Sequence, residues 1–136
     1  NPIIRTTTDE RVLVYQGEPY SVAADIHVAP SYSGRAGWTW YTASSGLFHR
    51  TVIEHLIGLK REGDVVVFDP HLPSTWTEVK VSFSFGETRY HVTIKKLFPD
   101  ARSIHLVLLD GDEQGEPRVR LFDDQASHEV VVELTH

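Results

Sequence analysis

At 136 residues and 40% hydrophobic content the chain has room for one domain, or for a small domain with part of another attached. Its 13 Lys and Arg against 19 Asp and Glu leave a net charge of −6 with no basic cluster, which argues against nucleic acid or an anionic membrane surface as a partner. Cysteine is absent, excluding disulfides, thiolate metal sites and a cysteine nucleophile and fitting a cytosolic compartment, and no apolar run reaches the length of a membrane span. The chain also has no methionine and starts Asn1-Pro2-Ile3, so it is expected to be cut from something longer, and the lack of a targeting signal carries little weight.

Taken in order, Thr7-Thr8-Asp9-Glu10 has the T-x-x-E pattern of a capping box and predicts a short helix through Tyr15, stopped at Gly17. Glu18-Pro19 predicts a second helical stretch through Ala23-Ala24, ended by Pro30, with a loop from Pro30 to Gly37. From about Trp40 to Leu59, apolar Phe48, Val52, Leu56 and Leu59 follow helical spacing, and Ile53 and Ile57 widen the stripe. Such a wide apolar arc expects packing on two sides, so a neighbouring element is predicted outside these residues.

After Gly58 the period becomes alternating, with Lys60–Gly63 as the junction. Val79/Val81/Phe83/Phe85 and Tyr90/Val92/Ile94, separated by Gly86-Glu87, predict a hairpin with a two-residue turn. Pairing Phe85 with Thr88 sets Phe83 opposite Tyr90, Val81 opposite Val92 and Val79 opposite Ile94 on one apolar face. Further strands are expected at 64–69, 103–109, 118–122 and 128–134, with Asp110-Gly111 as a turn. Six strands alternating on one side predict a β-sandwich.

The eight histidines show no H-x-x-x-H or H-E-x-x-H spacing, so no metal site is expected. Asp110-Gly111-Asp112-Glu113 starts like a calcium loop, but its twelfth position is Leu121, and a solvated hairpin turn is the better reading. Two groups remain. Glu18, Tyr20 and Asp25 fit sugar-hydroxyl recognition, or, in the plainer reading, carboxylates that favour a helix dipole. "GRAGWTWYTASSGLFHR" puts Thr42-Ala43-Ser44-Ser45-Gly46 at a helix start suited to an anion, beside aromatic side chains of the kind on which sugar rings stack. The same residues also suit an N-cap followed by close helix packing.

"EPYSVAADIHVAPSYSGRAGWTWYTASSGLFHR", then "GLKREGDVVVFDPHLPSTW" and a tyrosine-containing hairpin, resemble the C-terminal end of glycoside hydrolase family 94. This family includes cellobiose and chitobiose phosphorylases and the phosphorylase-like part of cyclic β-1,2-glucan synthases. The branch of cyclic β-1,2-glucan synthases and β-1,2-oligoglucan phosphorylases is the most similar, and "LFDDQASHEVVVEL" resembles that branch's last strands.

The resemblance implies an α+β fragment: residues 1–60 as the last helices of an (α/α)6 barrel and 61–136 as a C-terminal antiparallel β-sandwich. It implies inverting cleavage of a β-glucosidic bond by phosphate, which leaves no need for a second carboxylate to activate water. Phosphate would be held by Thr42 and the N–H of Ala43, and sugar by Glu18, Tyr20, Asp25, Arg35 and Trp40. No catalytic residue, metal or cofactor is implied within the fragment. Inorganic phosphate is the parent's co-substrate, and the general acid lies upstream, so the fragment alone is not expected to catalyse.

The implied partners are β-glucan or a gluco-oligosaccharide, phosphate and the upstream part of the same protein, with self-association of the fragment through its apolar helix face. The implied location is the cytoplasmic side, tethered to the bacterial inner membrane where the parent is a cyclic glucan synthase. Ala36 and Ala43 stand where the branch has glycine, and Leu47, Phe48 and His49 where it has Trp, Met and Tyr. An alanine at a position needing positive φ would cost about 1 kcal/mol. The alternative is a non-catalytic carbohydrate-binding or structural β-sandwich module.

Overall fold

The computed structural model describes residues 2–39 and 42–136, the side chain of Thr42 excepted. The chain divides into two compact units, Asn1–Arg50 and Thr51–His136. The fold is α+β and mostly sheet, with few helices.

In the first unit, α1 (Pro2–Arg5) is a single turn and α2 (Asp9–Tyr15) is the capped helix expected from the sequence. Its cap is Thr8 rather than Thr7: in extended backbone, Thr8 accepts from the N–H of Arg11. Gln16, at φ 51, takes the left-handed position at the other end.

The helix expected from Pro19 to Pro30 does not form. The backbone of 24–27 is instead bonded across to 35–38, through Ala24 N–H to Trp38 C=O (2.7 Å), Gly37 N–H to Asp25 C=O (3.0 Å) and His27 N–H to Arg35 C=O (2.9 Å), around an Ile26–Ala36 bridge. Turns at Ala29–Tyr32 and Tyr32–Arg35 reverse the chain. β-branched Val22, Ile26 and Val28 favour this extended pairing over a helix.

α3 (Thr42–Thr51) gives way to a π-helical segment at Val52–Leu56, so the helical run stops before Leu59. Gly58, at φ +73, turns the chain into β1 (Leu59–Glu62), which occupies the expected junction. This strand carries little alternation because it lies at a sheet edge, where Lys60 and Glu62 pair with each other in solvent.

The second unit holds two sheets. β1, β2 (Val65–Phe68) and β7 (Arg118–Arg120) form a three-stranded antiparallel sheet. β3 (Glu78–Phe85), β4 (Thr88–Lys96), β5 (Ser103–Leu109), β6 (Asp112–Glu113) and β8 (Ser127–Thr135) form a five-stranded sheet in the order β3-β4-β8-β5-β6. The β3–β4 register is the one expected: Phe85 faces Thr88, Phe83 faces Tyr90, Val81 faces Val92 and Val79 faces Ile94. Asp110 (φ 52) and Gly111 (φ 93) make the expected turn between β5 and β6.

One part of the expectation is corrected. The sheet is mixed rather than antiparallel, because β4 and β8 run parallel from Arg89–Ser127 to Lys96–Leu134. One buried cluster joins Leu59, Val66, Phe68 and Val119 of the smaller sheet to Tyr90, Val92, Ile94, Val107, Val130, Val132 and Leu134 of the larger, an arrangement consistent with a sandwich. Arg61 lies over the Phe85 ring (4.7 Å).

The two units differ in how much they bury. Among described hydrophobic residues, only Tyr15 and Ala36 are buried in the first, while 14 are buried in the second. The second unit therefore has a core of its own, and the first leaves Ile3, Leu13, Val28, Leu47 and other apolar side chains exposed.

Candidate functional site

The 24–38 hairpin creates a cleft of about 620 Å³, lined by Asp25, His27, Tyr32, Arg35, Ala36, Gly37, Trp38 and Thr39. Alternation puts Asp25, His27, Arg35 and Gly37 on one face, with Ile26 and the buried Ala36 on the other. The Arg35 guanidinium sits 5.9 Å from the centre of the Tyr32 ring, and His27 lies 6.4 Å from the same ring. The Ser21 hydroxyl donates to the Thr39 carbonyl and extends the pairing.

Asp25 is held in place. Its Oδ1 accepts from the Trp38 backbone N–H (3.3 Å), and a Cβ at position 37 would lie 2.2 Å from the same oxygen, so the close approach requires glycine there. Ala36 has ordinary negative φ and packs its methyl where a side chain on Gly17 would collide with it. Alanine in place of the branch's glycine is thus a packing choice without backbone strain.

Of the expected sugar contacts, the hairpin brings Asp25 and Arg35 into this cleft. Glu18 and Tyr20 do not line it: Glu18 is half-buried and Tyr20 is 79% exposed. Trp40 and the Thr42 hydroxyl lie outside the described residues. α3 starts at Thr42, and Ala43 is exposed in its first turn with negative φ, so the alanine carries no left-handed penalty. The first-turn N–H groups of such a helix have no intrahelical acceptor.

Sequence reasoning missed His27 and Tyr32, and it weighed Trp38 only as a flanking aromatic. The signal that could have found them was their spacing about a Pro-x-x-x-Gly turn, which sets residues 27 and 35 side by side once the segment is extended.

Titratable groups with shifted pKa values also lie in the second unit, around His128. His128 Nδ1 is 2.6 Å from Asp110 and Nε2 is 3.2 Å from Asp124, and the ring stacks on Tyr90 at 5.0 Å. Hydrogen bonding to Asp110 raises the His128 pKa most; burial opposes it, and hydrogen bonding to Asp124 adds a smaller raise. Asp110 is lowered first by His128 and then by the Glu129 N–H, and Asp124 is lowered first by the Ala126 N–H. Both ring nitrogens are engaged, so this is a clasp between the β5–β6 turn and the 121–126 loop. Among the described residues no group of three or more His, Asp or Glu side chains could hold a metal ion.

The clasp predicts a pH window. The His128 contribution is complete below its ordinary value of 6.5 and is lost as pH rises through the raised one. The carboxylate contributions are present above their ordinary 3.8 and are lost as pH falls through the lowered values. In thermal melts, wild type is expected to lose its advantage over His128→Asn as pH rises above 6.5 and through the raised His128 value. A gap that stays constant over that range would rule out a cationic clasp.

Residues 59–98, from β1 through β4, match the family model described as glycosyl hydrolase family 65, C-terminal domain. The chain is 33% identical over 96 residues to the cyclic beta-(1,2)-glucan synthase NdvB of Rhizobium meliloti, covering 71% of this chain and 3% of that relative. It is 31% identical over 67 residues to a cellobionic acid phosphorylase of Neurospora crassa, covering 49% of this chain and 8% of that one. Against a solabiose phosphorylase of Paenibacillus borealis it is 23% identical over 119 residues, covering 86% of this chain and 15% of the relative. The chain thus spans a small part of the length of the curated relatives it matches. Family model, relatives and motifs agree: this chain matches the C-terminal part of a glycoside hydrolase family 94 protein.

Proposed function

We propose that these residues supply phosphate and sugar contacts to an inverting glycoside phosphorylase-type enzyme acting on β-linked glucan, with β-1,2 as the linkage. The observation that carries this reading is the opening of α3 at Thr42 with Ala43 in its first turn, within the segment whose motif the phosphorylase branch shares. A first turn of unsatisfied N–H groups suits phosphate. The NdvB similarity supports the β-1,2 linkage, and the phosphorylase names of the other relatives support phosphate and glycan as partners.

In this reading α1–α3 are the closing helices of an (α/α)6 barrel, which accounts for a first unit with almost no core of its own. A phosphate oxygen attacks the anomeric carbon as the glycosidic bond breaks on the opposite face, and the leaving oxygen takes a proton from an acid supplied outside these residues. The product is α-glucose 1-phosphate. Thr42 and the Ala43 N–H hold the attacking phosphate, while Glu18, Tyr20, Asp25, Arg35 and Trp40 bind sugar. The reaction takes place on the cytoplasmic side.

The binding-module alternative draws less support. The outward positions of β3, β4 and β8, including Ser82, Ser84, His91, Thr93 and Glu129, carry no Phe, Tyr or Trp side chain on which a sugar ring would stack. Phosphate-dependent release of α-glucose 1-phosphate from a panel of β-linked gluco-oligosaccharides tests the proposal. β-1,2-linked substrates are expected to release it, and Thr42→Ala to slow release about 100-fold at fixed phosphate. Folded protein that releases none from any linkage would overturn the reading.

A further inference from the structure

The hairpin cleft combines three properties that narrow its ligand. Its charged groups balance: Asp25 offers only acceptors, Arg35 only donors, and His27 one of each in its neutral form. A vicinal diol, whose hydroxyls both donate and accept, complements that set, whereas an anion is repelled by Asp25 and a cation by Arg35. Two aromatic rings stand exposed at the cleft, Tyr32 at 56% and Trp38 at 71%, and each offers a face to the C–H surface of a sugar ring. A cleft of about 620 Å³ lies in the range of ligand pockets and leaves room beyond a single ring.

We propose that this cleft is a subsite for a neutral gluco-oligosaccharide, in which Tyr32 and Trp38 stack sugar rings, His27 joins Asp25 and Arg35 in binding hydroxyls, and Gly37 is a positioning residue. The proposal rests on the glucan reading above and adds Tyr32, Trp38, His27 and Gly37 to it. Gly37 acts through Asp25: any side chain at 37 displaces the carboxylate that the Trp38 N–H holds. Arg35 depends on the turn, because the ring beneath its guanidinium comes from Tyr32.

The test is a titration of the protein with short β-1,2-linked gluco-oligosaccharides, following backbone amide shifts by NMR and Kd by calorimetry. Amides of His27, Gly37 and Trp38 are expected to shift, and Tyr32→Ala and Asp25→Asn each to raise Kd about tenfold. Gly37→Ala should weaken binding as Asp25→Asn does. Tyr32 is exposed and Asn retains an acceptor for the Trp38 N–H, so both main variants should keep the wild-type circular dichroism.

Unshifted hairpin amides, or an unchanged Kd in both folded variants, would overturn the subsite. So would inorganic phosphate shifting these amides when the oligosaccharide does not. The two readings separate cleanly. Normal α-glucose 1-phosphate release with an unchanged KM in both variants removes the subsite and leaves phosphorolysis standing. Hairpin binding without release from the wild type removes phosphorolysis and leaves the subsite.

Discussion

Tyr90→Ala is expected to lower the unfolding free energy of the Thr51–His136 unit by about 3–5 kcal/mol, the cost of emptying a large buried aromatic site. Tyr90 is fully buried, stacks on Phe83 at 5.4 Å and carries His128 on its ring. Its hydroxyl also accepts from the Phe122 N–H (2.8 Å) and donates to the Phe122 carbonyl (3.1 Å), pinning the loop that leads into β8. Tyr90→Phe keeps the ring and removes only this pin, so its expected cost is smaller, about 1–2 kcal/mol. Urea unfolding of the two variants separates packing from hydrogen bonding, provided the denaturant slope is unchanged. Equal losses in both would show that the pin, rather than the buried ring, governs this part of the core.

Gly58→Ala is expected to cost about 3 kcal/mol or more, through two effects that add. Gly58 has φ +73, and a Cβ there would lie 2.0 Å from the Asp69 carbonyl oxygen and 2.3 Å from the Pro70 nitrogen. Those are backbone atoms fixed by the Asp69 N–H bond to the Gly58 carbonyl (2.8 Å), at the open end of the β1–β2 pair. Gly63 is the control: its φ is +68, but a Cβ there would have no neighbour within 4 Å. Gly63→Ala should therefore cost only the backbone term, about 1 kcal/mol. If both substitutions lower the thermal midpoint equally, the close approach at Gly58 contributes nothing.

The resemblance to the family was legible in the longest motif, where small and hydroxyl residues stand between aromatics, whereas the family model matches the strands at 59–98. The helix start at Thr42 was legible in the same motif, and it appears where the small-residue run begins. The cleft was legible only in part. Asp25 and Arg35 stood out by resemblance, but His27 and Tyr32 become neighbours only when 24–38 folds back on itself, and a helical reading of that segment disperses them.

Local chemistry in the sequence determined the β3–β4 hairpin and its register, the α2 helix and the β5–β6 turn, because each rests on contacts between residues close along the chain. Alternation with a two-residue turn leaves one register that keeps Val79, Val81 and Phe83 on a common face with Ile94, Val92 and Tyr90. Tertiary structure alone decided the parallel pairing of β4 with β8, the edge strand β1 and the extended course of 24–38. An alternating strand presents the same apolar face in either direction, so period 2 carries no sign of whether its neighbour runs with or against it. The charged β1 and the mixed 24–38 segment have no apolar period to read, and their shape is set by backbone partners, Val65–Phe68 for one and Arg35–Trp38 for the other, that only folding brings alongside.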